Sequence, residues 1–191
     1  MPETEPASRS VAGKTVTVFG SSRPIPSSPE YEEAELIGRR LAEGRLSVCT
    51  GGYAGIMEAV SRGASPFDVK IIGVTSTVFS TTPNRYVNIQ VHTDSLYERL
   101  QRLVELGDGY IVLKGGTGTL VEFSLIWELM NKTLIKEKPI VVVGGFWKPV
   151  IDLLDRELTS ERREPGKKFV KTAKDNAEAA DIMIKTLGTI E

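Results

Sequence analysis

The sequence predicts an α/β fold: a mostly parallel sheet with helices on both faces, in a single domain. Three observations carry that expectation. Short, nearly continuous apolar runs such as Val16–Phe19 alternate with longer stretches of helical period, the pattern of a parallel sheet covered on both sides. Glycine- or serine-rich turns follow three of these runs, at residues 20–22, 51–55 and 115–119, and such sheets hold ligands beyond the carboxyl ends of their strands. A chain of 191 residues also suits one compact domain with a substantial core.

Residues 1–13 are polar and lack apolar period, so they are expected to form a disordered tail, leaving 14–191 as the domain. Val16–Phe19 is the first strand, closed by Gly20-Ser21-Ser22. Ser28-Pro29 is an N-cap and first-turn pair for a helix to about Glu43. Leu46–Thr50 is a second strand, and Gly51-Gly52 leads into a helix from about Ala54 to Arg62. Lys70–Val74 is a third strand, followed by a polar loop at 75–86 and a short strand at Val87–Val91. Asp94 is placed to cap the next helix. Tyr110–Leu113 is a strand, and after its glycine turn an amphipathic helix runs from Leu120 to Leu134. Pro139–Val143 is an apolar strand, with a helix near Trp147–Leu158. Lys167–Val170 is expected as an edge strand, before a last helix from Lys174 to Leu187. No internal repeat and no linker divides the chain.

Composition narrows the function classes. A net charge of −1 gives no electrostatic basis for binding nucleic acid or a membrane surface. The single cysteine, Cys49, excludes an internal disulfide and fits a reducing compartment. No apolar run approaches the roughly 18 residues of a membrane span, and no secretory signal pattern is visible. A cytoplasmic location is the expectation. His92 is the only histidine, and with Cys49 it cannot build a zinc site, so no metal is expected. Cys49 lies in an apolar strand, where packing is its role, and Lys136, Lys138, Lys167 and Lys168 read as solvated.

The most informative segment is Gly115-Gly116-Thr117-Gly118-Thr119-Leu120-Val121-Glu122. A glycine turn between strand and helix presents backbone N–H groups at the positive end of the helix dipole, which suits a phosphate. Thr119-x-x-Glu122 has the spacing of a capping box, but the helical wheel opposes that role. Leu120, Phe123, Ile126, Trp127, Leu129, Met130 and Leu134 fill one arc, and at 100° per residue Glu122 falls inside it. An inward carboxylate needs a partner or a ligand. Arg99 repeats the pattern one helix earlier, lying between Leu103 and Leu106 in an arc with Leu96 and Leu100. Its planar fork suits a carboxylate or a phosphate, so a ligand contact and a buried pair with Glu122 both stay open. Glu98 and Arg102 are spaced for a surface ion pair. Gly51-Gly52-Tyr53-Ala54-Gly55-Ile56-Met57 is a second glycine turn, weak alone because packing also demands glycine. Ser21 and Ser22 are placed either to donate to a ligand or to close their own turn. None of these turns has the P-loop spacing or the Gly-x-Gly-x-x-Gly dinucleotide fingerprint.

Together these residues resemble the LOG family, formerly labelled as lysine decarboxylases. The resemblance spans about Lys14 to Leu158. The family's Pro-Gly-Gly-x-Gly-Thr-x-x-Glu is matched by Lys114–Glu122, its Gly-Gly-x-x-Gly-x-Met by Gly51–Met57, and its Glu-Arg by Glu98-Arg99. The resemblance implies a Rossmann-like, nucleotide-binding homodimer. Such an enzyme hydrolyses a nucleoside 5′-monophosphate, of AMP or cytokinin type, to free base and ribose 5-phosphate, and needs no cofactor. By that likeness Arg99 and Glu122 are catalytic. Gly115, Gly116, Thr117, Gly118 and Thr119 hold the phosphate, with Gly51, Gly52, Gly55, Met57, Ser21 and Ser22 contributing to the ligand site. Nothing in the pattern suggests pyridoxal phosphate. The chain departs from the family at Lys114, where proline is usual, at Leu100, where lysine is usual, and at Thr75 after the third strand. Molybdenum cofactor carriers share the fold, so a non-catalytic binder of a phosphorylated pterin or of a nucleotide signal is the alternative.

On the enzymatic reading, cleavage of an N-glycosidic bond builds positive charge on the sugar. Glu122 would stabilise that charge and orient or deprotonate water, while Arg99 anchors the substrate and keeps Glu122 ionised.

Overall fold

The order of elements in the chain is that of a doubly wound sheet. The computed structural model describes residues 13–160 and 169–188. The strands are β1 (Thr15–Phe19), β2 (Ser47–Thr50), β3 (Ile71–Ser76), β4 (Ile89–Thr93), β5 (Gly109–Val112), β6 (Ile140–Val143) and β7 (Val170–Ala173). The helices are α1 (Pro29–Glu43), α2 (Ile56–Ala64), α3 (Leu96–Leu106), α4 (Thr117–Asn131), α5 (Lys148–Ser160) and α6 (Asn176–Leu187). All strand pairings are parallel, in the order β4-β3-β2-β1-β5-β6-β7. This is a Rossmann-like α/β fold.

The chain begins at the centre, winds outward to β4, and returns to β5 beside β1. The winding reverses between β1 and β5, the crevice where such sheets place their ligands. The turns after β1 and β5 flank that crevice. A third turn, after β2, is drawn to it by the backbone. Ser21 N–H donates to the Lys114 carbonyl at 3.3 Å, and the Ser21 carbonyl accepts from Ile56 N–H at 3.0 Å. One residue thus ties all three turns together.

Each face of the sheet buries its own core. Val16, Val18 and Val48 point toward Tyr31, Ile37 and Leu41 of α1, Val60 of α2 and Met183 of α6. Phe19, Tyr110 and Val112 meet Leu103 of α3, Phe123, Ile126 and Trp127 of α4, and Ile151 of α5. The central strands are apolar on both faces because both faces are covered. Cys49 is fully buried in β2, and burial pushes its thiol up to about 12.

Several boundaries and partners differ from the sequence expectations. Ser28 does cap α1, accepting from Tyr31 N–H. α3, however, is capped by Ser95 rather than Asp94. Glu98 N–H donates to Ser95 Oγ, and the Glu98 carboxylate reaches back to accept from Asp94 N–H at 3.0 Å, one residue before the cap, while Arg102 pairs with Glu105 instead. Leu96 is exposed, while Leu103 and Val104 are the apolar residues α3 buries. α4 starts three residues earlier than the hydrophobic pattern suggested, because the glycine turn is itself the first helical turn. It ends at Asn131, leaving Leu134 exposed. β7 lies at Val170–Ala173 rather than Lys167–Val170; Lys167 and Lys168 lie outside the described residues, as does most of the 1–13 tail. Lys138 is not solvated. Its ammonium donates to the Val104 and Gly107 carbonyls and to Tyr110 Oη, satisfying the C-terminal end of α3, and burial lowers its pKa.

Candidate functional site

Arg99 is brought to the crevice by α3, which follows the edge strand and crosses back over the sheet. Its Nε donates to the Val74 carbonyl at 2.9 Å. Its guanidinium lies 5.8 Å from the Tyr53 ring centre and 5.4 Å from that of Phe79, within cation–π range. Tyr53 is fixed by its hydroxyl, which donates to the Ser76 carbonyl and accepts from Ser76 N–H. Gly51 makes the space. A Cβ there would stand 1.7 Å from Arg99 Nη2, so only a residue without a side chain lets the guanidinium occupy this position.

Glu122 approaches from the second turn of α4. Its carboxylate lies 3.6 Å from Arg99 Nη1, with side-chain exposures of 8% for Arg99 and 14% for Glu122. The capping-box alternative fails on geometry: Gly116 is the N-cap of α4, so Thr119 is already inside the helix. The expected ionisation of Glu122 needs correction. Burial pushes its pKa up to about 7, and the opposing charge of Arg99 only partly offsets this. Near neutral pH the carboxyl is therefore poised between its two forms, as suits a group that exchanges protons with substrate or water.

Beside the pair, the first turn of α4 has no side-chain cap, so its leading N–H groups face the cleft at the positive helix end. A Cβ on Gly116 or Gly118 would meet nothing within 4 Å, whereas one on Gly115 would strike Thr119 Oγ1 at 2.2 Å. The floor is bare backbone, and Gly115 is needed to let the turn close. The cleft has a volume of about 1390 Å³. Its lining includes Ser21, Ser22, Met57, Arg99, Glu122 and all of Gly115–Thr119. Gly51, Gly52 and Gly55, expected to meet the ligand, do not line it. Gly51 accommodates Arg99. Gly55, at φ +72°, packs so closely on Ser21 and Ser22 that a Cβ would fall 2.5 Å from the Ser22 backbone.

Sequence reasoning missed the aromatic members. Tyr53 sits within the second glycine motif, and its inward direction is set by the left-handed turn around it. Phe79 comes from the 75–86 loop, where no periodicity marks it. Phe146 and the Lys174–Asn176 segment also line the cleft; they follow β6 and β7, whose carboxyl ends were the available signal. His92 lies on edge strand β4, with Nδ1 3.4 Å from Thr75 Oγ1, and does not line the cleft. Among the described residues no helix is long and apolar enough to cross a membrane.

Comparison with known proteins fits this architecture. The family model of the SLOG cluster4 family matches residues 13–179. A cytokinin riboside 5′-monophosphate phosphoribohydrolase of Rhodococcoides fascians is 27% identical over 150 residues, 74% of each chain. A pyrimidine/purine nucleotide 5′-monophosphate nucleosidase of Escherichia coli K12 is 29% identical over 126 residues, which are 60% of this chain and only 28% of that protein. The molybdenum cofactor binding protein of Rippkaea orientalis superposes with a TM-score of 0.70 over 94% of this chain and all of its own, at 24% identity. That likeness is one of fold.

Proposed function

The chain belongs to the SLOG cluster4 family, and from that premise we propose that it hydrolyses the N-glycosidic bond of a nucleoside 5′-monophosphate, releasing free base and ribose 5-phosphate. The observation that carries this reading is the Arg99–Glu122 pair, 3.6 Å apart, beside an uncapped helix N-terminus. Relatives of similar sequence bear names of that activity.

In the proposed reaction the 5′-phosphate rests on the amides of the α4 turn, so binding far from the reacting carbon positions the bond to be broken. As the bond from C1′ to the base nitrogen lengthens, positive charge grows on the sugar, and ionised Glu122 stabilises it. Glu122 takes a proton from the attacking water, whose oxygen bonds to C1′, and the base leaves with the electron pair of the broken bond and picks up a proton. Arg99 holds Glu122 in place and offers a cation to substrate hydroxyl or phosphate oxygens. The aromatic faces of Tyr53 and Phe79 keep the guanidinium beside apolar surface rather than bulk water.

The test is a hydrolysis screen over nucleoside monophosphates with Glu122→Gln as control. Base release from at least one substrate, lost in the variant, is expected; a variant that turns over at the native rate rejects the mechanism. A second reading, a non-hydrolysing carrier of a phosphorylated pterin or nucleotide, is favoured by one observation: Lys114 and Leu100 depart from the resembled pattern at the cleft and beside Arg99. Mass spectrometry of ligand co-purified with the protein separates it from the first. We also propose a cytoplasmic homodimer, a second copy covering the apolar residues that α4 and α5 leave exposed, Val121, Leu153 and Leu154.

A further inference from the structure

Half of the cleft is unused by the reaction just described. The α4 turn stands near its middle. Tyr53, Phe79 and Arg99 lie toward β2 and β3, whereas Lys114, Phe146 and Lys174–Asn176 lie toward β6 and β7. From β3 to β7 there are five strand intervals, about 24 Å at the usual spacing of ~4.8 Å. The volume of about 1390 Å³ exceeds the roughly 300–1,000 Å³ that holds one small ligand.

The β6 side is shaped, not merely open. Trp147 is buried, and its Nε1–H donates to the Leu113 carbonyl at 2.9 Å. It meets Phe146 edge to face, with ring centres 4.9 Å apart and planes at 88°. This braces the Phe146 ring while leaving it 48% exposed. Lys114 Nζ lies 5.8 Å from the same ring centre, and no carboxylate among the described residues pairs with it. Between this corner and Glu122 the floor is rich in glycine, and a Cβ on Gly116, Gly118, Gly144 or Gly145 would meet nothing within 4 Å. The far rim carries Glu33 and Asp175, the latter with Lys174 Nζ 4.0 Å from its Oδ2; their carboxylate oxygens suit sugar hydroxyls as acceptors.

We infer that the site takes a pyrophosphate-linked dinucleotide, with one phosphate on the α4 turn, the second on Lys114, and the far nucleobase stacked on Phe146. This deepens the proposed function and rests on it for the bond that is cut; water still adds at C1′ of the near nucleoside, and the other product keeps the pyrophosphate. Stacking on an exposed aromatic face and a charge-assisted contact with an unpaired ammonium are each favourable, and a monophosphate reaches neither.

Isothermal titration of the Glu122→Gln protein, which holds substrate without turnover, compares AMP with diadenosine diphosphate. The dinucleotide is expected to bind at least tenfold more tightly, equivalent to about 1.4 kcal/mol. Adding Phe146→Ala or Lys114→Met is expected to bring the ratio of the two affinities toward one, with circular dichroism checking that each variant is folded. Equal or tighter binding of AMP overturns the inference, and so does a ratio that survives both substitutions. Base release by the native protein separates this from the reading it rests on. Release from AMP without a dinucleotide preference removes the second subsite and leaves the hydrolase; a dinucleotide preference without base release from either compound does the reverse.

Discussion

Replacing Arg99 by Met tests the electrostatic logic of the site directly. The substitution removes the guanidinium but keeps an unbranched apolar stem to fill its place. Burial raises Glu122 to about 7 even though the charge of Arg99 pulls it down. A cation within about 4–6 Å lowers a carboxylate by roughly 1–3 units. Here the separation is 3.6 Å and both side chains are largely buried, which places the effect in the upper half of that range. The Glu122 midpoint should therefore rise by about two units in the variant, leaving the carboxyl protonated at neutral pH. Carbon-13 NMR of the glutamate carboxyl groups follows this without any ligand, and the Glu122 resonance is identified by its absence from Glu122→Gln. Enzymatic turnover should report the same shift as an alkaline displacement of the acid limb of kcat/KM. A native midpoint at the ordinary carboxylate value would refute the dominance of burial. A midpoint unmoved in Arg99→Met would show that the guanidinium does not govern Glu122.

Four further outcomes are expected. Gly51→Ala should leave the fold intact, because the added carbon meets the tip of a flexible side chain, but should displace the guanidinium and lower kcat at least tenfold; a native pH–rate profile with native kcat would contradict this. Glu122 ties stability to pH, since its folded pKa lies above the unfolded one. The protonated form is favoured by folding, so that stabilisation is complete below pH 4.5 and is lost as pH rises through about 7. Urea melts at pH 5 and pH 8 should accordingly show Glu122→Gln gaining on the native protein at the higher pH, by an amount on the order of 3 kcal/mol before any cost of leaving Arg99 unpaired; no change in the difference would count against it. Lys138→Met should lower stability by about 1–3 kcal/mol through the orphaned carbonyls at the end of α3, read as a drop in melting temperature. Light scattering should find a dimer that Leu153→Glu dissociates; a native monomer would leave the exposed face without a second copy.

Much of the fold was legible because its signals are local. Apolar runs and capping residues mark the strands and α1 directly, and three glycine- or serine-rich turns announce the carboxyl edge of the sheet. Arg99 and Glu122 were legible for a second reason: a charged residue inside an apolar arc contradicts its helix, and that contradiction is visible in one dimension. Boundaries failed where the first turn of a helix was also a glycine turn, as in α4. The partners of Glu98, Arg102 and Lys138 failed because capping geometry and long-range carbonyls decide them, not spacing. Phe79 and Phe146 were hidden because loops carry no period, so nothing in the sequence distinguishes a ring over a cleft from one on the surface. The poise of Glu122 was hidden too, since it depends on how much water the finished fold excludes.

The lacing of the three turns through Ser21 bears on how this cleft can vary. A residue whose N–H and carbonyl are each held by a different neighbouring loop transmits any shift in one loop to the other two. Paired substitutions in the first and third turns should then depart from additivity in double-mutant cycles, although their side chains never touch. Lineages that remodel one wall must adjust the others in step.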